Sequence, residues 1–360
     1  MKAVILAGGF ATRLRPLSCT RPKILFPILN KPLLQWTFER LARNNIKEAI
    51  MAVNYQTEVA IKQNRIPRSG VHITYSRDPL RKPLGTGGPV KKAEKLLGRK
   101  DSFLVLNGDI FADTDYTELL RLHEKKEAVA TIALHEVRDP SRYGVAQLSQ
   151  DHRITRFVEK PPRGKAPSNL INAGVYVLSP EILKRIPEDR KVSLEREVFT
   201  KLAEEGTLYG YVCENMWMDI GKPEDYLKIN RILMNAHPSA CNERKGVDTK
   251  TPLVLDMNVQ IGQGSTIGPH VVLGRNVTIG RKATVQDSVV LRETEISDHA
   301  SVEGAIIGEG VYIGVNVKIG RGCIIGDHAR VKDRTILKHG VSVCPAKEVS
   351  GNVLTPKIIT

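Results

Sequence analysis

The first two thirds of the chain alternate short apolar runs with longer stretches in which apolar residues recur at helical spacing. The pattern predicts strands at 3–6, 49–53, 71–75, 103–106 and 129–134, and helices at 33–43, 89–97, 116–126, 194–205 and 223–236. Strands that alternate with helices favour an α/β fold with a mostly parallel sheet. Two further runs, at 144–148 and 154–158, flank Asp151 and His152 and are typical of a hairpin added to that sheet.

The pattern changes after residues 236–252, a polar segment without periodicity that contains Pro238, Gly246 and Pro252. Beyond it, apolar residues recur every six positions, with one-residue slips near Ile296 and Val302. The series is Ile261, Ile267, Leu273, Ile279, Val285, Leu291, Ile296, Val302, Ile307, Ile313, Ile319, Ile325, Val331, Leu337 and Val343. A six-residue period predicts a parallel β-helix in which three hexapeptides form one triangular coil, here about five coils. The alternative, an antiparallel sandwich, would show two-residue alternation.

The change of pattern predicts two domains, one at 1–236 and a second, made of the repeats, at 253–360. The two predicted domains also differ in net charge. The chain carries a net charge of +15, of which residues 1–235 hold +12 and the remainder +3. A basic first domain attracts anions, whether small phosphates or nucleic acid. Because lysine and arginine form no long block, a nucleic-acid-binding tail is disfavoured.

The cysteines and the apolar runs narrow the class of protein. Cys19, Cys213, Cys241, Cys323 and Cys344 are odd in number, far apart and without a CxxC pair. This spacing disfavours a disulfide framework or a zinc site and fits a reducing cytoplasm. No apolar run approaches the roughly 18 residues of a membrane span. The apolar start is short and is followed at once by arginines, so we do not interpret it as a signal peptide.

A glycine-rich turn follows the first predicted strand. Leu6, Ala7, Gly8 and Gly9 form it, and the basic residues Arg13 and Lys23 come soon after. Glycines let backbone N–H groups approach oxyanions, while arginine and lysine supply positive charge, so a phosphate-binding loop is one interpretation. The loop is neither a Walker loop nor a GxGxxG turn. A tight turn with surface arginines is the alternative.

Two isolated aspartates lie in apolar settings. Asp109 follows the predicted strand at 103–106, and Asp219 lies in the segment 217–221. Carboxylates at the carboxyl ends of strands lie where open α/β sheets bind ligands, and Mg²⁺ takes one or two such carboxylates together with phosphate oxygens. The alternative is that each aspartate caps a turn or a helix.

Three further motifs carry polar groups suited to a ligand. Glu159 and Lys160 are either a solvated strand edge or a carboxylate beside a cation for phosphate. Gly85 belongs to the loop 84–89, whose backbone is free to lie against a flat base or an anion. Asn172 precedes Gly174 in a strand-like run, where a glycine indicates close backbone approach and the amide can bind a sugar hydroxyl.

Taken in this order, the motifs closely resemble the sugar-1-phosphate nucleotidylyltransferases, over nearly the whole chain. Within that family the resemblance is greatest to guanylyltransferases that use mannose 1-phosphate. The stretches that carry it are 84–89, 139–145, 193–199, 217–221 and 356–359. The resemblance implies a Rossmann-like nucleotidyltransferase domain at 1–236 and a left-handed β-helix at 253–360. Two positions depart from the family pattern: Ala11 replaces a glycine, and Gly88 replaces an alanine.

The resemblance implies a reaction between GTP and mannose 1-phosphate that gives GDP-mannose and pyrophosphate, with Mg²⁺ as the cofactor. It assigns the triphosphate and its developing charge to Arg13 and Lys23, and the metal to Asp109 and Asp219. The remaining assignments place Leu6, Ala7, Gly8, Gly9 and Gly85 at the nucleotide, Lys160 at the sugar phosphate, and Gly144, Glu159 and Asn172 at the sugar. A homo-oligomer through the repeats is also expected, because exposed strands at the end of a β-helix can pair with another chain.

Three alternatives stay open from the sequence. The first is another sugar nucleotide, such as UDP-glucose, dTDP-glucose or UDP-N-acetylglucosamine. The second is a hexapeptide acyltransferase, which needs a histidine base; His270, His299 and His328 lie among the repeats, but at positions typical of exposed coil corners. The third is a catalytically inactive regulatory subunit, which the presence of the four residues at the predicted phosphate and metal sites disfavours.

Overall fold

The computed structural model describes residues 1–9, 12–79, 83–98, 100–236 and 245–360. Its strands up to residue 236 are β1 (Lys2–Leu6), β2 (Pro27–Ile28), β3 (Lys31–Pro32), β4 (Glu48–Val53), β5 (His72–Arg77), β6 (Phe103–Asn107), β7 (Ile110–Ala112), β8 (Ala130–Glu136), β9 (Gly144–Leu148), β10 (Ile154–Glu159), β11 (Leu170–Leu178), β12 (Leu208–Val212) and β13 (Trp217–Asp219). Its helices are α1 (Leu33–Arg43), α2 (Tyr55–Gln63), α3 (Gly87–Lys92), α4 (Glu94–Leu97), α5 (Tyr116–Lys125), α6 (Thr200–Glu204) and α7 (Pro223–Ala236). Short 3₁₀ turns lie at Thr12–Leu14, Leu17–Cys19, Lys23–Leu25 and Pro180–Arg185, and a π-helix at Leu194–Phe199.

The chain packs as two compact units, and each unit combines two segments that are separate in the sequence. The first unit comprises residues 1–9 and 33–219, and the second comprises residues 12–32 together with the described residues from 220 onward. The division by packing thus differs from the division at 236–252 predicted along the chain. The reason is that residues 12–32 bond to α7, as when the Tyr226 hydroxyl donates to the Pro27 carbonyl, and to the repeats, as when Asn30 Nδ2 donates to the Leu273 carbonyl.

The first unit is built on a nine-stranded sheet. Its order is β10-β9-β11-β6-β1-β4-β5, and β8 pairs with β11 and β12. Strands β6, β1, β4 and β5 run parallel, whereas β11 runs antiparallel to β6, β8 and β9. The parallel strands therefore end at one common edge, where open α/β sheets bind their ligands. The predicted α/β class and the hairpin β9–β10 are confirmed.

Helix predictions hold where an apolar face is strong. Helices α1 and α7 have the predicted bounds, but α2 was not predicted from the sequence, because Ile61 is its main buried apolar residue. Its start is set instead by Asn54, whose side-chain oxygen accepts from the Thr57 N–H at 2.8 Å. The helix predicted at 194–205 begins as a π-helix over Leu194–Phe199 before α6.

Two irregular pairings shape the ligand edge of the sheet. Strand β13 pairs antiparallel with β7 in a separate two-stranded ladder that places Asp219 opposite Ile110. In β11, three residues between Asn172 and Tyr176 lie opposite a single residue of β8, so the strand bulges there. Bulges are common next to binding sites because they redirect side chains.

The repeats of the second unit form three parallel sheets. Their strands are β14 (Asp248–Thr249), β15 (Leu253–Leu255), β16 (Gln260–Ile261), β17 (Thr266–Ile267), β18 (Val271–Leu273), β19 (Thr278–Ile279), β20 (Thr284–Gln286), β21 (Val289–Val290), β22 (Glu295–Ile296), β23 (Ser301–Glu303), β24 (Ile306–Ile307), β25 (Tyr312–Ile313), β26 (Lys318–Ile319), β27 (Ile324–Ile325), β28 (Arg330–Val331), β29 (Ile336–Leu337), β30 (Ser342–Val343), β31 (Glu348–Val349) and β32 (Ile358–Ile359). The sheets contain six, seven and six strands, each strand pairing with the one a full coil away.

This arrangement confirms the parallel β-helix. It has at least one coil more than the five predicted, because strands also form before residue 253 and after residue 343. The predicted anchor Leu291 is wrong by one residue. Val290 pairs with Leu273 on one side and Ile307 on the other, and it belongs to the apolar core of the coils. The six-residue spacing is therefore interrupted before residue 290, where one repeat has five residues instead of six.

The corners of the coils adopt left-handed backbone conformations. His270, His299 and His328 occupy such corners with φ of 55°, 60° and 60°. His299 and His328 are exposed, and His270 lies beside Asp287, with 3.4 Å between its Nδ1 and the carboxylate. This placement agrees with the structural interpretation of the three histidines as coil corners.

The glycines after the anchors allow successive coils to approach closely, and two of them form a matched pair for a test. A Cβ atom on Gly262 would lie 2.6 Å from the Gly280 carbonyl carbon in the next coil, whereas the nearest atom to a Cβ on Gly320 is at 3.4 Å. We expect Gly262→Ala to destabilise the protein by about 1–3 kcal/mol through overpacking against backbone. Gly320→Ala is the control and should change the unfolding midpoint much less. Equal midpoints for the two variants in thermal denaturation would contradict this explanation.

Candidate functional site

The first candidate element is the bare backbone after β1. The Ala7 N–H donates to the Ala52 carbonyl at 2.9 Å, and the Gly108 N–H donates to the Leu6 carbonyl at 2.9 Å. Asn54 Nδ2 donates to the Gly8 carbonyl at 3.2 Å. These bonds hold the turn at the ends of three neighbouring strands, and Gly9 is exposed. The predicted residues of this turn are therefore together at the ligand edge of the sheet.

A carboxylate that the sequence analysis missed lies beside this turn. A Cβ on Gly8 would lie 3.1 Å from Asp78 Oδ2, so the glycine leaves room for this side chain. Asp78 Oδ1 is buried and has no hydrogen-bond partner among the described residues. Burial raises the pKa of Asp78 to about 6, against the opposing effect of the Lys92 charge. Its only signal in the sequence is its position directly after a strand.

The glycine-rich loop before α3 is held by a second segment of the same unit. Gly85 has φ of 74°, and the Gly87 N–H donates to the Val192 carbonyl at 2.9 Å. The Thr86 hydroxyl donates to Glu195 Oε2 at 2.6 Å. At Gly88, a Cβ would lie 2.6 Å from Leu84 Cβ. The loop in this chain is therefore packed around a glycine at that position.

The two predicted metal ligands lie at the β7–β13 ladder: Asp219 ends β13, and Asp109 directly precedes β7. Because Asp219 pairs with Ile110 in the β7–β13 ladder, its neighbour across the ladder is one residue away from Asp109. Asp109 is exposed and Asp219 is half-buried. Two carboxylates and open space match the donors that Mg²⁺ prefers, since this ion keeps several waters and adds phosphate oxygens. Within the described ranges no group of three or more His, Cys, Asp or Glu side chains could hold a metal.

The bulge in β11 connects this carboxylate pair to Asn172. Asn172 Oδ1 accepts from the Gly174 N–H at 2.8 Å, and its Nδ2 donates to the buried Tyr176 hydroxyl at 3.0 Å. Trp217, at the other end of β13 from Asp219, donates from Nε1 to the Ala173 carbonyl at 3.0 Å. Asn172 is buried, so its amide is fixed by these bonds. Strand β13, which carries Asp219, is bonded to Ala173, the residue directly after Asn172.

A third predicted group lies on the β9–β10 hairpin. Gly144 pairs with Glu159, and a Cβ on Gly144 would lie 2.8 Å from Glu159 Oε2. Burial raises the pKa of Glu159, and the nearby negative charge of Glu195 raises it further. Lys160 Nζ lies 3.5 Å from Glu159 Oε1, and its side chain is 53% exposed. Gly144, Glu159 and Lys160 are therefore together, with the cation directed to solvent.

The two predicted phosphate-binding cations belong to the second unit. Arg13 lies in an exposed 3₁₀ turn. Lys23 begins another 3₁₀ turn and is buried, with 8% exposure. Ala11, the departure in the turn before them, lies outside the residues that the structure describes. The structure thus places the other predicted residues in the first unit and both Arg13 and Lys23 in the second.

Comparisons with known proteins match both halves of the chain. Residues 2–236 match the family described as nucleotidyl transferase, and residues 249–359 match the GMPPB C-terminal domain. Mannose-1-phosphate guanyltransferase from Yarrowia lipolytica is 39% identical over 369 residues, covering 100% of both chains. Mannose-1-phosphate guanylyltransferase catalytic subunit beta from Danio rerio is 36% identical, also over 100% of both. The solved structure of HddC from Yersinia pseudotuberculosis complexed with GMP-PN is 30% identical, with a TM-score of 0.53, and covers 64% of this chain and 99% of that one.

Proposed function

The chain belongs to the nucleotidyl transferase family, and on this basis we propose that it transfers a guanylyl group from GTP to mannose 1-phosphate. The products are GDP-mannose and pyrophosphate. The observation that carries the proposal is the match to mannose-1-phosphate guanyltransferases along the whole chain, repeats included. The cluster of polar groups at the ligand edge of the sheet supports it, since both substrates are anionic and carry hydroxyl groups.

The reaction needs no protein nucleophile. A phosphate oxygen of mannose 1-phosphate attacks the α-phosphorus of GTP, a new phosphoanhydride bond forms, and the bond to the β-phosphate breaks. Pyrophosphate leaves with the electron pair. The protein contributes positioning and neutralisation of charge, as in other phosphoryl-type transfers. A first domain with a net charge of +12 favours the approach of two anions.

We assign the binding roles as the sequence predicts them. The backbone of residues 6–9 and of Gly85 lies against the nucleotide, and Arg13 and Lys23 hold its triphosphate. Lys160, exposed on the hairpin, meets the phosphate of the sugar. The sugar hydroxyls are bound by three residues of the first unit, Gly144, Glu159 and Asn172.

A divalent cation completes the charge balance, and we assign it as Mg²⁺ on Asp109 and Asp219. When bound, Mg²⁺ neutralises phosphate charge and orients the phosphates. The chain's own contribution is the β7–β13 ladder, which pairs Asp219 with Ile110, the residue directly after Asp109. Trp217 ties that ladder to the bulge of β11 through its bond to the Ala173 carbonyl.

Asp78 gives a physical reason for guanine. Guanine carries an N1–H and an N2 amino group on one edge, and an ionised carboxylate can accept from both. Uracil and thymine offer a single N–H flanked by carbonyls, and adenine offers an acceptor at N1. Asp78 lies beside Gly8 with one oxygen unpaired among the described residues. A base that lacks the two donors would leave this carboxylate unsatisfied.

We also propose a homo-oligomer formed through the repeats. At the carboxyl-terminal end of the coils, β32 lies at the edge of its sheet, and Ile358 is 66% exposed. An unpaired strand edge with an exposed apolar side chain is suited to pairing with a second copy. Light scattering of the full chain should therefore give a mass above that of one chain, and a monomer would contradict this proposal.

A cytoplasmic location is proposed on the cysteines. Cys19, Cys213, Cys323 and Cys344 are free thiols, and Cys213 and Cys323 are buried. No helix in the described part of the chain is long and apolar enough to cross a membrane. Cell fractionation that places the protein outside the reducing compartment would contradict this location.

The proposed function is tested by a panel of GTP, ATP, UTP and dTTP against mannose 1-phosphate, glucose 1-phosphate and N-acetylglucosamine 1-phosphate. We expect the highest kcat/KM for GTP with mannose 1-phosphate, measured by release of pyrophosphate. A preference for UTP or dTTP with glucose 1-phosphate would overturn the guanylyltransferase assignment. Activity with none of the pairs would overturn the transferase assignment as well.

Asp109→Asn and Asp219→Asn should each lower kcat by at least about 100-fold at ordinary Mg²⁺ concentration, because one hard ligand and one negative charge are lost. Steady-state kinetics over a Mg²⁺ titration measures the effect. Glu124→Gln, which removes an exposed carboxylate on α5, is the control and should leave kcat unchanged. A normal rate in either aspartate variant would remove that residue from the metal site.

Asp78→Asn should lower the ratio of kcat/KM for GTP over UTP by about 10- to 100-fold, since a hydrogen bond to a charged group contributes about 1.5–3 kcal/mol. Because the pKa of Asp78 is about 6, its ionised form dominates above that pH. We therefore expect the wild-type KM for GTP to rise as the pH falls below 6, and the variant to lose this dependence.

Asp101→Asn, which changes an exposed aspartate outside the cluster, is the matched control for base selectivity. It should keep both the selectivity and the pH dependence of the wild type. An unchanged GTP-to-UTP ratio in Asp78→Asn would show that the base is read elsewhere.

A further inference from the structure

Residues 12–32 are tied to the repeats by a compact charged cluster. The Thr20 hydroxyl donates to Asp327 Oδ2 at 2.6 Å. Arg21 Nη2 donates to Glu309 Oε2 at 2.6 Å and to Asp327 Oδ2 at 3.2 Å. Glu309 also pairs with Arg292, whose Nε lies 2.8 Å from Oε1. The segment that carries Lys23 is thus bonded to side chains nearly 300 residues further along the chain.

The cluster is largely withdrawn from water. The side chains of Asp327, Glu309 and Arg21 are only 4%, 14% and 17% exposed. Hydrogen bonds between charged partners are stronger than neutral ones, and removing one partner of a desolvated pair leaves the other charge uncompensated. The cluster therefore fixes the position of Arg21 far more firmly than an exposed surface pair would.

The two carboxylate oxygens of Asp327 accept hydrogen bonds from different parts of the chain. Its Oδ1 accepts from the Glu309 N–H at 2.8 Å, which stabilises the corner of the neighbouring coil. Asp333 makes the same bond one hexapeptide later, accepting from the Val315 N–H at 2.8 Å. Only Asp327 uses its second oxygen to hold Thr20 and Arg21. A substitution at Asp333 is therefore a control that changes a coil-corner bond and leaves the bonds of Thr20 and Arg21 in place.

The anchored residues lie immediately before Lys23. Only Pro22 separates Arg21 from Lys23, and its φ of −60° is fixed by its ring. On the other side of Lys23, the Leu29 N–H donates to Asn230 Oδ1 at 2.8 Å, within the same unit. Lys23 is therefore held in a short segment that is fixed at both ends, and a shift of the anchor is passed directly to it.

We propose that Asp327 is a positioning residue for nucleotidyl transfer: through Thr20 and Arg21 it sets the place of Lys23, so the repeats take part in catalysis. The anchoring itself rests on the described contacts, whereas its effect on turnover rests on the proposed function. In Asp327→Asn, the amide oxygen can still accept from the Glu309 N–H, but the amide NH₂ then faces two donors. The bond at the coil corner is therefore kept, whereas the bonds from Asp327 to Thr20 and Arg21 are lost.

The first measurement is hydrogen–deuterium exchange of the full-length protein. The Leu25 and Phe26 amides donate to the Pro22 and Lys23 carbonyls, so they report on this turn. Asp327→Asn should accelerate exchange in peptides that cover residues 17–26, and Asp333→Asn should not. Equal exchange of this segment in the two variants would overturn the anchoring.

The second measurement separates positioning from folding. Asp327→Asn should lower kcat for GTP and mannose 1-phosphate by about 100-fold, the cost of misplacing a group by about 1 Å, while the KM for mannose 1-phosphate stays near the wild-type value. Asp333→Asn should keep the wild-type kcat. Faster exchange with a normal kcat would overturn the positioning role. A wild-type protein inactive with both substrates would refute the proposed function instead, and exchange would then decide the anchoring alone.

Discussion

The ligand edge of the first unit depends on one short antiparallel ladder, β7–β13. The ladder pairs Asp219 with Ile110, and Asp109 directly precedes Ile110, so the positions of both aspartates depend on it. The ladder in turn needs support from the sheet. Trp217 bonds to the bulge of β11, and Asn172 in the same bulge is fixed by Tyr176. The β7–β13 ladder is therefore joined through Trp217 to the bulge of β11 that also contains Asn172.

Much of the fold was predictable because its signals are periodic. The six-residue spacing is enough to predict the coils, and the helices with a wide apolar face, such as α1 and α7, have the predicted bounds. The slip at Val290 was misplaced by one residue, since Leu291 is also apolar and buried and periodicity alone cannot choose between adjacent apolar residues. Helix α2 was missed because its start is set by the Asn54 cap, and its buried face is small.

The site was predictable where a residue stands out against its neighbours. Asp109 and Asp219 are lone carboxylates in apolar stretches, and Gly8 and Gly9 form a recognisable turn. Asp78 was not predictable in this way. It follows a strand and precedes a proline, as ordinary turn residues do. Its proximity to Gly8 comes from the parallel pairing of β1, β4 and β5, which no local pattern contains. The same limit hid the bonds from Thr20 and Arg21 to the repeats, which are visible only when distant segments are brought together.

The attachment of residues 12–32 to the last third of the chain has a consequence for biosynthesis. During translation this segment is made about 300 residues before Glu309 and Asp327. The nascent first unit can begin to form its sheet, but the buried bonds of Thr20 and Arg21 cannot be made until the coils around residue 327 exist. Long-range contacts of this kind close late. A polypeptide that stops before those coils lacks the partners of Thr20 and Arg21, so the segment that carries Lys23 is without this anchor.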